Sequence, residues 1–167
     1  LDDAMMKGVE VVPLRVREGD DASCLNLNRA QQPRLLGVDP QKLASREAFT
    51  FVKAAEATDK PGLLLDKRLG EGVVTAIGDE ATVTWGLGKS VGDDVEYTDG
   101  HGRTRTLRIV GVIANSILQG SLLIAEDQFI RLFPADEGYR AFLVEAPGAY
   151  LADVADELAA KIKQVFE

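Results

Sequence analysis

The stretch WGLGKSVGDD (85–94) holds the residues whose types and spacing most suggest chemistry. Gly86, Gly88, Lys89 and Ser90 look like the end of a phosphate-binding loop. In such a loop backbone N–H groups wrap the phosphates, the lysine reaches the outer ones and the hydroxyl holds Mg²⁺. Two requirements exclude that reading. The spacing needs a glycine five residues before Gly88, and Val83 stands there. A helix must also follow, so that its N-terminus meets the phosphates. VGDDVEY follows instead, and its glycine, paired aspartates and β-branched valines predict a turn and a strand.

The remaining candidates are sparse. His101 is the only histidine and lies in DGHG, without the oriented partners that a catalytic triad or a zinc centre needs, so it reads as a solvated turn residue. Cys24 is the only cysteine, which rules out an intramolecular disulfide. A Cys24–His101 thiol dyad has no local support, and the thiol reads as a small buried hydrophobe. Carboxylates cluster at Asp93, Asp94, Glu96 and Asp99, and at Glu18, Asp20 and Asp21. Neither cluster has the alternate spacing and glycine bend of a Ca²⁺ loop, so both read as solvated turn carboxylates. No catalytic, cofactor-binding or metal-binding residue is assigned, and a non-enzymatic module is expected.

The whole chain sets the class of partner. Its 167 residues are 46% hydrophobic and 28% charged, enough apolar material for a packed core. The formal net charge of −8 repels phosphate backbones and anionic lipid, and no basic patch offsets it, so a nucleic-acid partner is not expected. No apolar run nears the roughly 18–20 residues of a membrane span; IVGVIA (109–114) is about the longest. The opening Leu1-Asp2-Asp3 is not a signal peptide and suggests a segment of something longer.

The elements that must position these residues follow from periodicity. VEVVPLRVR (9–17) predicts a strand, with Pro13 at an edge or a bulge. Residues 18–33 read as a polar loop with one short extended piece, and PRLLGVDP (33–40) as a short strand closed by Asp39-Pro40. QKLASREAF (41–49) suits a helical turn or two, and LLLDKRLG (63–70) a short helix capped by Gly70. GVVTAIG (72–78), ATVTWGL (81–87), DDVEYTD (93–99) and TRTLRIVGVIA (104–114) predict strands at hairpin spacing. In the second of these, alternation with Thr82 and Thr84 turns Val83 and Trp85 toward the core. In DGHG, Gly100 and Gly102 supply the positive φ of a tight turn. SLLIA (121–125) and YRAFLVEAP (139–147) predict strands on either side of a short helix, EDQFIRLFP (126–134). Leu151, Val154, Leu158, Ile162 and Val165 give 150–166 the clearest helical period.

Taken in order, Leu87-Gly88, Gly92-Asp93, a strand, a glycine turn, Val110-Gly111-Val112-Ile113, LLIA and a helix bearing Phe129 and Phe133 resemble the extracytoplasmic core domain of FtsX/MacB-type ABC transporter permeases. The resemblance is densest over 72–146 and extends to most of 8–147. It implies an α+β fold, with a mixed α/β porter-like lobe (1–71 plus 115–167) and a β-rich second lobe (72–114) in one domain, 1–167. It also implies a non-catalytic domain on the extracytoplasmic side of the cell membrane, without a cofactor. That domain would relay ATP-driven motion of the transmembrane helices to an exported substrate or an extracytoplasmic partner, including protein or lipoprotein. The implied partners are the transmembrane helices of the parent permease and separate cytoplasmic ATPase subunits, and the isolated domain is expected as a monomer or weak dimer. The alternatives are a soluble extracellular domain binding a small ligand or peptide without transport, and a cytosolic enzyme using Cys24 or Asp93 and Asp94.

Overall fold

The computed structural model describes residues 10–19, 32–47, 49–114 and 116–145. Residues 20–31 of the predicted 18–33 loop, the helix over 150–166, and Cys24, Asp20 and Asp21 lie outside them. Eight strands form one mixed sheet: β1 (Glu10–Arg17), β2 (Arg34–Val38), β3 (Phe51–Ala54), β4 (Val73–Asp79), β5 (Asp94–Thr98), β6 (Thr104–Ile113), β7 (Ser121–Ala125) and β8 (Ala141–Glu145). The order across it is β3-β6-β4-β7-β2-β1-β8, with β5 also paired to β6. With helices α1 (Pro40–Arg46) and α2 (Glu126–Leu132), the fold is α+β, as the resemblance implies. One sheet runs through both 72–114 and the segments around it, because β4 pairs with β7.

Alternation assigns each strand residue to one of two cores. On one face Leu36, Val38, Ile77, Leu123 and Ala125 pack with Leu43 of α1 and with Leu64 and Leu65 of a 3₁₀ helix, Pro61–Asp66. On the other face Leu35, Val74, Ala76, Leu122 and Ile124 pack with Phe129 and Leu132 of α2. β6 serves both faces because register shifts by one residue between Ala76↔Ile109 and Ile77↔Gly111. This bulge sends Ile109 and Val112 to the α2 side, and Val110 and Ile113 to the α1 side.

Local signals account for the helices. Asp39 caps α1 by accepting from the N–H groups of Gln41 and Lys42, and Pro40 fills the first helical position. Glu126 and Asp127 complement the start of α2. Pro13 sits at a local edge. The Leu14 carbonyl accepts from Arg140 on the β8 side, so Pro13 faces the other way, where the β1–β2 ladder runs only from Arg15 to Arg17. The 63–70 helix ends earlier than the glycine suggests. Its last residue is Asp66, seated where Thr75 Oγ1 donates to the Leu65 carbonyl at 2.8 Å, and Gly70 belongs to a later turn.

Twist curls the sheet over α2. Strands β2 and β5 are not neighbours, yet the Tyr97 hydroxyl donates to the Pro33 carbonyl at 3.2 Å. Phe133 fills the space between, edge-on to Tyr97 with ring centroids 5.9 Å apart, and the Arg17 guanidinium lies 5.1 Å from its ring centre.

The predicted strand at 81–87 is absent. Ala81–Gly86 is a single turn of π-helix, closed by the Leu87 N–H donating to the Thr82 carbonyl at 2.9 Å. Its β-branched residues suit a strand, but Asp79 at the end of β4 accepts from the Ala81 N–H and starts a coil there instead. Val83 is fully buried, whereas Trp85 is 80% exposed and does not face the core.

Candidate functional site

The C-terminal ends of β4 and β6 carry the most unusual surface. Asp79, 1% exposed, ends β4 opposite Ile113 of β6. One oxygen of its carboxylate accepts from Ala81 N–H at 2.9 Å and the other from Ser116 N–H at 2.6 Å. Thr82, also buried, accepts from Gly120 N–H through its hydroxyl at 2.8 Å. These bonds tie the π-helical turn to the 116–120 loop between β6 and β7. Gly78 permits the close fit beneath them, because a methyl there would lie 2.5 Å from Val83 Cγ2. Trp85 of the π turn and Ile117 of the loop are 80% and 83% exposed, more than any other large apolar side chain described. An indole and a branched alkyl group held in water by fixed backbone can bury apolar area against a partner; they perform no bond chemistry.

The residues singled out as phosphate-like belong to the π turn and the turn that follows it. Gly88 has φ +63°, whereas Gly86 needs no positive φ and closes the π turn. The following residues form a turn, where Asp93 accepts from the Ser90 N–H at 2.8 Å, and then β5.

At the other end of β6 the DGHG turn is closed by its first residue. The expectation of a solvated carboxylate is wrong for Asp99, whose side chain is fully enclosed. Burial pushes its carboxyl up, but donors outweigh that effect and hold it well below the usual carboxylate range. They are the backbone N–H groups of Arg103 and His101, each at 2.9 Å, and the Nε atoms of Arg105 at 2.9 Å and Arg103 at 3.2 Å. Of the two glycines in the turn, only Gly102 adopts positive φ, +77°. His101 is exposed, and what it gives the turn is its backbone N–H.

The other carboxylates are dispersed. Asp94 pairs with Arg108, whose hydrogen bonds lower the Asp94 pKa and raise that of Arg108. Glu96 and Glu18 are exposed. Among the described residues no group of three or more His, Cys, Asp or Glu could hold a metal ion. A cleft of about 310 Å³ gathers Asp39, Asp66, Glu126 and Asp127, each already engaged, by the α1 N-terminus, Gln41, Arg15 and Arg68 respectively. A second groove, of about 250 Å³, is lined by Leu43, Phe49, Phe51 and Pro61, with Asp59 and Lys60 also on its wall. No helix among the described residues is long and apolar enough to cross a membrane.

This exposure escapes sequence reasoning because strand alternation turns Trp85 inward. The one available signal is Asp79 two residues before Ala81, an aspartate placed to receive a backbone N–H and break the strand.

No known family's sequence model matches the chain, and no curated protein matches it. Solved structures are similar. The periplasmic region of MacB from Actinobacillus actinomycetemcomitans matches with 14% identity and a TM-score of 0.49 over 93% of this chain. The extracellular domain of the noncanonic ABC-type transporter YknZ from Gram-positive bacteria matches at 14% and 0.41 over 90%. A domain of a permease protein from Porphyromonas gingivalis matches at 16% and 0.47 over 96%. This chain spans 66% of each of the three, just under two thirds.

Proposed function

We propose that this chain is the extracytoplasmic domain of an ABC transporter permease, inserted between two membrane helices. It carries out no chemistry itself, and relays ATP-driven movement of those helices to an exported substrate or an extracytoplasmic partner. One structural observation carries the insertion: Glu10 of β1 and Glu145 of β8 are register partners, so the outermost described residues lie side by side at one end of the sheet. That arrangement suits a domain that leaves and re-enters the same membrane. The ordered glycines, strands and aromatic helix of 72–146 supply the kind of permease. Motion passes as a rigid body, because β1 and β8 continue through the sheet to β4 and β6.

A second reading, a domain that binds a small ligand or peptide without transport, draws on the groove beside Phe49 and Phe51. It makes no use of the adjacent ends.

Thiol labelling tests the first reading. In the full-length protein, with Cys24→Ser, a cysteine introduced by His101→Cys in the exposed turn should react with a membrane-impermeant maleimide on intact cells. Labelling only after lysis overturns the proposal.

A further inference from the structure

We infer that the Asp99–Gly100 peptide is a latent modification site, a place of spontaneous isoaspartate formation that the folded turn holds shut and that opening of the β5–β6 hairpin exposes. Glycine leaves its own nitrogen unhindered and free to take up the conformation that ring closure needs. This is the only Asp-Gly pair in the chain. The Gly100 nitrogen attacks Cγ of Asp99, and an N–C bond forms. The carboxyl OH leaves as water with the proton of that N–H, and a five-membered succinimide remains. Water then adds at one of the two ring carbonyls and the N–C bond there breaks. Opening at the main-chain carbonyl routes the chain through Cγ and leaves the free carboxylate on Cα.

The fold withholds both reactants. The Asp99 carboxyl is fully enclosed. One of its oxygens accepts from His101 and Arg103 N–H, and the other from Nε of Arg103 and Arg105. Those donors also keep it ionised, and a carboxylate oxygen is a poor leaving group. The Gly100 N–H donates to the Leu132 carbonyl of α2 at 2.8 Å, and a Cβ on Gly100 would lie 3.1 Å from that same oxygen. The nucleophile is thus pressed against α2 while the carboxyl is turned into the hairpin. The Tyr97 hydroxyl on the Pro33 carbonyl and the Tyr97 ring on Phe133 hold the hairpin in that position. Local opening releases all of these contacts together. Isoaspartate carries its carboxylate one bond nearer the main chain, out of register with Arg103 and Arg105. A hairpin that stays open long enough for ring closure cannot return to its original form.

The test incubates the 167-residue chain at about pH 5, where an ordinary carboxyl still spends time protonated, in buffer and in guanidinium chloride. Isoaspartate at residue 99 is read by methylation with isoaspartyl methyltransferase and peptide mapping. It should accumulate in guanidinium and form at least about tenfold more slowly in buffer. Tyr97→Phe and Arg105→Gln, each with unchanged circular dichroism, should speed its formation in buffer. Three results overturn the inference: equal rates in the two solvents, no isoaspartate at residue 99 in guanidinium, or folded variants both as resistant as the wild type.

Discussion

Asp79 and Asp99 flank the two ends of β6, both almost completely buried, and they resolve the same electrostatic problem in different ways. Asp99 collects two arginine side chains and two backbone N–H groups, all within six residues of itself. The hairpin closes on its own charge, and beyond it the Gly100 N–H donates to the Leu132 carbonyl. Asp79 has backbone donors instead, one of them at Ser116, 37 residues away. Its charge is matched by peptide dipoles, so the surface it organises can stay uncharged. One aspartate completes a local motif; the other sets the shape of an apolar tip.

Removing Asp79 should therefore have the largest effect. Asp79→Ala strands two part-buried N–H groups at once, and each orphaned donor costs about 1–3 kcal/mol, so a loss of roughly 2–3 kcal/mol is expected in urea unfolding. Asp79→Asn keeps one carbonyl acceptor and should lose about half of that. A loss below about 1 kcal/mol for the alanine variant would mean that other groups satisfy these donors, and the contrast with Asp99 would collapse.

How far each region can be read in the sequence follows the same divide. The Asp99 hairpin, β5 and the start of β6 are legible because their determinants are adjacent: Val95 and Tyr97 alternate with Asp94 and Glu96, and a glycine turn follows. What stays hidden in that region is that the carboxylate is enclosed, since enclosure depends on Arg105 folding back across the turn. At the tip, Thr82, Val83 and Thr84 have strand propensity, and no local residue reveals that Ser116 will claim the other Asp79 oxygen. The bulge at Val110 is hidden for the same reason: it is fixed by pairing with β4, across more than thirty residues of chain. The exposed Trp85 and Ile117 stand on segments joined by such distant pairings.

Acid sharpens the comparison next. Folding lowers the Asp99 pKa, so its contribution is complete above the unfolded carboxylate value, about 3.9, and fades as pH falls from there toward the folded value. Asp99→Asn removes the charge that faces Arg103 and Arg105 and should be less stable than the wild type at neutral pH. The gap between the two should narrow as pH drops below about 4, followed through urea midpoints. A gap that stays constant down to about pH 2 would show that the arginines do not depend on that charge.

The smallest expected effect lies two residues from one of the most tightly packed side chains. Strand alternation would give Val83 and Trp85 the same face and similar costs on truncation. In the π turn Val83 is fully buried between Gly78 and Leu122, while Trp85 stands in water. Val83→Ala should therefore cost about 2 kcal/mol, as a cavity in a packed core does, although it removes only two methyl groups. Trp85→Ser removes the largest side chain in the protein and should change stability by no more than about 0.5 kcal/mol, because the indole contributes nothing to the core. Thermal unfolding separates the two. If Trp85→Ser proves as costly as Val83→Ala, the indole packs inward and the tip has no apolar anchor to offer.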